Sequence, residues 1–260
     1  MTLAVPPCHV IDFWPQVRND LTRVTWSHAT NSRKKLTRAI QDPELMMIEA
    51  DVVKGSLFGQ SEVQPIMAHP PENRSDLSLA EFMRMVSPAR KGIKLDFKDI
   101  SIVEQSLQIL SSVPKEELNF PIWFNADILR GPGSSKEPVT PDVFLRLCQS
   151  YFPFFTLSLG WTTGLDPKKP LKYNSKHIED MLQAINTIIQ SDRHSWFTFA
   201  VRAALALNSL PELEQLLEKS GPNTSLTLWT AEGDTLDSSK LNDFISRLGR
   251  NRIYVDLPLT

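Results

Sequence analysis

Nine short β-rich runs, most of them separated from the next by a helical segment, constrain this chain more than any other feature. They fall at residues 24–29, 46–52, 63–69, 93–98, 122–127, 154–160, 196–202, 226–230 and 253–257. Strand followed by helix, repeating at intervals of roughly 30 residues, predicts a parallel sheet with helices outside it. The faces of the runs decide what kind of sheet. Successive strand residues point to opposite sides, so Ile93, Leu95 and Phe97 oppose Lys94, Asp96 and Lys98, and Ile122, Phe124 and Ala126 oppose Trp123, Asn125 and Asp127. Phe197, Phe199 and Val201 likewise oppose Thr198, Ala200 and Arg202, and Ile253 and Val255 oppose Tyr254 and Asp256. A parallel sheet covered on both faces reads as continuous apolar runs. One oily face and a second that turns polar toward the strand ends predict a closed (β/α)₈ TIM barrel, open at its C-terminal rim.

The 260 residues, 41% of them hydrophobic, suffice for one such domain over 1–260, with residues 1–20 as an irregular leader whose Phe13 and Trp14 cover one end. Two irregularities stand out. Nine runs compete for eight places, and only the ten residues 53–62 join the second run to the third, too few for a crossover helix. An extended loop between neighbouring parallel strands is the expected solution. Hydroxyl caps answered by a glutamate three positions later place helix starts at Ser78 with Glu81, Ser101 with Glu104 and Ser209 with Glu212. Thr140-Pro141 marks another start.

A formal net charge of −2 supplies no basic field for a nucleic-acid backbone, which excludes nucleic acid as the expected partner. No run approaches the ~18 apolar residues of a membrane span, and residues 1–12 lack the regions of a secretion signal, so a cytoplasmic protein is expected. Cys8 and Cys148, far apart in unlike settings, are then expected to be reduced thiols.

The chemistry gathers at run ends. In 46–52, Glu49 and Asp51 share the face opposite Ile48, Ala50 and Val52. At about 4 Å and an effective dielectric near 20, two such carboxylates repel by roughly 4 kcal/mol, which calls for a cation, a proton or a base beside them. His28 ends the first run and His69 the third, which puts both on the barrel rim with Glu49, Asp51 and Asp96. A lone strand-end histidine is commonly structural, and Glu-x-Asp is a common pair; the coincidence at the ends of four successive strands is what points to a site. Two imidazoles around three hard oxygen ligands suit acid/base chemistry beside a divalent cation, Mg²⁺ or Ca²⁺, acting on a phosphoryl group. Lys94 and Lys98 read two ways: they bind a substrate phosphate, or they neutralise the carboxylates with no metal present. Asn125, Asp127, Arg202, Trp229 and Asp256 are further candidates for the same mouth, or rim residues without a role.

In order and spacing, His28, Glu49-Ala50-Asp51, His69 and Leu95-Asp96-Phe97-Lys98 resemble the superfamily of glycerophosphodiester phosphodiesterases and phosphatidylinositol-type phospholipase C barrels. Leu228-Trp229-Thr230 followed by Val255-Asp256-Leu257-Pro258 is similar to the closing strands of the former. Longer motifs, among them Trp26-Ser27-His28-Ala29-Thr30-Asn31, Gln64-Pro65-Ile66-Met67-Ala68-His69-Pro70-Pro71 and Ser158-Leu159-Gly160-Trp161-Thr162-Thr163-Gly164, resemble the menorin family, the family with sequence similarity 151, over nearly the whole chain. The resemblance implies Glu49, Asp51 and Asp96 as metal ligands, His28 and His69 as the acid/base pair and Lys98 as a phosphate contact. The chain departs from the superfamily pattern at Asp96, where glutamate is usual, at Ala29 and at Pro70. The expected activity is a metal-dependent phosphodiesterase acting on a small-molecule or lipid-headgroup phosphodiester, with Lys94, Lys98, Asn125, Arg202 and Trp229 on the substrate. The alternatives are a catalytically silent barrel that binds a ligand or signals, and a lyase that forms a cyclic phosphate.

Overall fold

Short runs rich in β-branched and aromatic residues become ten strands: β1 (Trp26–Ser27), β2 (Met47–Leu57), β3 (Gln64–Met67), β4 (Arg74–Ser75), β5 (Gly92–Phe97), β6 (Ile122–Arg130), β7 (Thr156–Thr162), β8 (Phe197–Arg202), β9 (Thr224–Trp229) and β10 (Ile253–Asp256). The computed structural model describes residues 9–164, 170–191 and 196–257; Cys8 and Pro258 lie outside them. Eight strands pair in the order β1-β2-β5-β6-β7-β8-β9-β10, every neighbour parallel, and wrap into a nearly closed barrel with helices around it. No helix among the described residues is long and apolar enough to cross a membrane.

The two strand faces separate as their alternation requires. Ile48, Ala50, Val52, Ile93, Leu95, Phe97, Phe124, Leu159, Phe199 and Leu228 face outward into one continuous core with helix residues such as Phe82, Leu107, Phe144 and Leu216. Inside, the N-terminal end of the barrel is filled by Trp26, Met47, Trp123 and Tyr254, on which Val10 and Val17 of the leader pack together with Leu21 and Val24. The leader is therefore built, with a helical turn at Val10–Phe13 and a 3₁₀ turn at Pro15–Val17. Trp14 joins this floor while Phe13 packs on the outer core.

The run at 63–69 does not enter the barrel. β2 continues past the expected end of its run to Leu57, the chain turns at Gly59 with φ +76°, and β3 returns antiparallel, pairing Met67 with Val52 and Gln64 with Gly55. So short a connection reverses the chain and cannot carry it across to a parallel neighbour. This corrects the placement of His69 after a third barrel strand, and it leaves eight runs for eight places. β4 lies parallel to the end of β2 through Ser56 and Leu57.

The helix starts hold where the hydroxyl is free to cap. Ser78 Oγ accepts from Glu81 N at 3.2 Å; Thr140 stands before the proline-led helix Pro141–Tyr151 without a side-chain cap. Two differ. Asp99 caps Ile100–Ser111, its carboxylate accepting from Ser101 N at 2.9 Å, so Ser101 lies inside the first turn and not at its cap. Ser209 sits at the cap position of Leu210–Ser220, yet its hydroxyl donates to Leu205 O and accepts from Tyr173 N, both at 2.8 Å.

Trp123 is fully buried, with its ring 4.8 Å from Tyr254 and 5.4 Å from Trp26. Trp123→Ala should cost about 3–5 kcal/mol in urea unfolding; a loss below about 1 kcal/mol would show that the floor does not hold the barrel together.

Candidate metal and acid/base centre

Strand register sets the levels of the barrel interior. β2 and β5 align Glu49 with Lys94 and Asp51 with Asp96, and β5 and β6 align Asp96 with Asn125. β6 and β7 align Asn125 with Ser158 and Asp127 with Gly160, one level nearer the mouth. Glu49, Asp51 and Asp96 each present one oxygen, and these oxygens lie within 4.8 Å of one another. Three hard anionic donors at this spacing fit an oxygen-seeking divalent cation such as Mg²⁺ or Ca²⁺.

Each carboxylate has its own supports. Glu49 Oε2 accepts from Ala29 N at 2.7 Å, and Ala29 takes φ +50° to aim that amide; a non-glycine residue there is strained, a cost that folded proteins concentrate at functional sites. Asn31 clamps Asp51 from both sides: its amide donates to Asp51 Oδ2 at 2.7 Å, and its carbonyl accepts from Asp51 N at 2.9 Å. Lys98 Nζ lies 3.0 Å from Asp51 Oδ1 and also donates to Asp96 Oδ2. Burial works against the Lys98 charge, but Asp96 and Asp51 outweigh it and hold the ammonium well above the ordinary lysine range. Glu49 lacks a lysine on its own oxygens, and burial together with the Asp51 charge pushes it up to about 7.

The two histidines are anchored differently. His28 Nδ1 is 3.1 Å from Asp256 Oδ1 and 3.6 Å from Glu49 Oε2. Burial pulls its pKa down, yet the Asp256 hydrogen bond and the charges of Glu49 and Asp256 prevail and raise it to about 9. Asp256 is itself pinned by Lys94 Nζ at 2.8 Å; burial raises it, and Lys94 and His28 drive it down to about 2. His69 stands on the same rim because Ala68 N donates to Asp51 O at 3.2 Å. Its Nδ1 is 2.7 Å from the Pro70 carbonyl, which only accepts, so Nδ1 is the donor and Nε2 is the nitrogen that can give up or take a proton.

The far wall is polar and aromatic. Asn125 Oδ1 accepts from Ser158 Oγ at 2.5 Å. Arg202 is gripped in a two-pronged pair by Asp234, at 2.9 Å and 2.6 Å, with its guanidinium 5.9 Å from the centre of the Trp229 ring. Burial and the Asp96 charge raise Asp127 to about 7. One cavity of about 840 Å³ touches His28, Glu49, Asp51, His69, Lys94, Asp96, Lys98, Asn125, Arg202 and Trp229, so the structure brings all the expected site residues together. Lys94 reaches it with its ammonium committed to Asp256, which itself lies beneath the mouth. Asn31 and Asp234 were not expected: both stand in loops, where no strand alternation points to a face.

The chain matches the family profile described as the Menorin N-terminal domain over residues 20–260. It is 39% identical over 239 residues to Protein FAM151B of Homo sapiens, which covers 92% of this chain and 83% of that protein. Among solved structures, the catalytic domain of a hyperthermophilic chitinase from Pyrococcus furiosus is similar in fold, with a TM-score of 0.50 at 14% identity, covering 91% of this chain and 84% of that one.

A group raised from 6.5 to about 9 keeps its proton through neutral pH, and the stabilisation it brings is full below 6.5 and lost as pH rises through 9. In metal-free protein, His28 should titrate by NMR near 9, and Asp256→Asn should bring it well below that value. A His28 titration unmoved by Asp256→Asn would contradict the assigned cause.

Proposed function

The chain belongs to the menorin family, and on that premise we propose that it is a metal-dependent phosphodiester hydrolase working where Glu49, Asp51 and Asp96 meet His28 and His69. The observation that carries this reading is the convergence of three carboxylate oxygens within 4.8 Å beside two imidazoles whose Nδ1 atoms are already engaged. The order of these residues, similar to that of the glycerophosphodiester phosphodiesterases, supports the reaction class. The substrate is a small-molecule or lipid-headgroup phosphodiester.

Glu49, Asp51 and Asp96 would hold a divalent cation, Mg²⁺ or Ca²⁺, and its charge would polarise a phosphoryl oxygen. His69, with its proton fixed on Nδ1, offers the Nε2 lone pair to the attacking water and takes its proton. The water oxygen forms a bond to phosphorus as the ester P–O bond breaks. His28, kept protonated by Asp256, gives the Nε2 proton to the departing alkoxide. Lys94 acts through Asp256, which it holds in place. Lys98 contacts the phosphate, and Asn125, Arg202 and Trp229 line the alcohol side.

A second reading is a pocket that binds without turnover. It is favoured by the ion pairs of Lys98 with Asp51 and Asp96, which set one positive charge across two of the three carboxylates.

Both readings face the same assay. Glu49→Ala should abolish metal-stimulated hydrolysis while the protein keeps its melting transition, and hydrolysis that persists would remove the assignment. His28→Ala and His69→Ala should each lose about 10²–10⁴-fold on an alkyl phosphodiester. On a nitrophenyl ester, whose leaving group needs no proton, only His28→Ala should recover. Recovery of His69→Ala instead would reverse the two roles.

A further inference from the structure

Lys98 stands where a cation belongs. Its ammonium bridges Asp51 and Asp96, so this chain's own charge spans two of the three carboxylates that fit a metal. A dication on the same oxygens would face that ammonium at contact distance beside the buried Glu49 and Asp51, where like charges are screened less than at an open surface. Both cannot stay.

The lysine has somewhere to go. Its backbone follows the last residue of β5 and is tied by Lys98 N to Val52 O at 3.1 Å, while its four-carbon stem leads into the cavity with the side chain 22% exposed. Asp127 lies one level nearer the mouth on the next strand, and its charge acts on Lys98 together with those of Asp96 and Asp51. Space around Asp127 is kept by Gly160, where a Cβ would stand 2.4 Å from Asp127 Oδ1. Lys94, by contrast, is held beneath the site by Asp256 with a side chain only 4% exposed.

We propose that Lys98 is a built-in competitor for the cation site, displaced toward Asp127 when a divalent ion binds Glu49, Asp51 and Asp96, and thereby released to meet the phosphate. The inference rests on the metal-dependent reading above. It makes metal and phosphate binding mutually reinforcing: the ion frees the lysine for the anion, and the anion keeps the lysine off the ion's ligands.

The test is calorimetric titration of metal-stripped protein with Mn²⁺, with and without inorganic phosphate. Lys98→Met should bind Mn²⁺ about tenfold more tightly than the unchanged protein, equivalent to about 1.4 kcal/mol. Asp127→Asn should bind it more weakly. Phosphate should tighten Mn²⁺ binding more in the unchanged protein than in Lys98→Met, which keeps only the direct contact between ion and phosphate. Equal or weaker binding by Lys98→Met overturns the competitor while leaving the metal site standing. No binding by either protein overturns the metal reading, and the competitor with it. Should Lys98→Met not fold, Asp127→Asn decides, and an unchanged Mn²⁺ affinity there contradicts the displacement.

Discussion

Buried carboxylates that must be neutralised govern the mouth of this barrel. Glu49, Asp51 and Asp256 are almost wholly out of water, with Asp96 and Asp127 beside them. A pair of unit charges about 4 Å apart costs roughly 4 kcal/mol at an effective dielectric near 20. The answer is local and uneven. Asp256 takes Lys94 and His28, and Asp51 and Asp96 share Lys98. Glu49 is left with an amide and an imidazole at 3.6 Å, and both it and Asp127 rise to about 7. That residue of unbalanced charge is what a dication would complete.

The same charges bear on the barrel's seam. β10 and β1 close the ring with no ladder between them among the described residues. The gap is crossed at the floor by Tyr254 against Trp26, with ring centres 6.3 Å apart, and beneath the mouth by Asp256 with His28. The imidazole at the site is thus also a tie between the first and last strands. Its orientation is set by a residue more than two hundred positions away in the chain, and Lys94, from a third strand, holds that partner in turn. Packing below and charge above act on one joint.

Much of this is legible in the residues, and the remainder has physical causes. Period-two alternation, with one oily and one increasingly polar face, identifies the barrel strands and puts Glu49, Asp51, Asp96, Asn125 and Arg202 on the inner face. Residues 63–69 share the β signal, and a strand's own side chains do not say whether it pairs parallel or antiparallel; the ten-residue link 53–62 carries that information. His69 reaches the rim all the same, through the hairpin. Asn31 and Asp234 escape because loop geometry, rather than periodicity, aims them. Lys98 reads as either a phosphate ligand or a charge neutraliser, and the structure places it on two carboxylates with its side chain 22% exposed.

The central claim is that Glu49, Asp51 and Asp96 hold a divalent cation. The most direct measurement is anomalous X-ray scattering from crystals of the metal-stripped protein soaked in Mn²⁺. The account expects one anomalous peak within about 2.0–2.6 Å of an oxygen from each of the three carboxylates, the range of hard-cation coordination, with Lys98 no longer bridging Asp51 and Asp96. No peak at that position, with Lys98 still seated between the two aspartates, would contradict it.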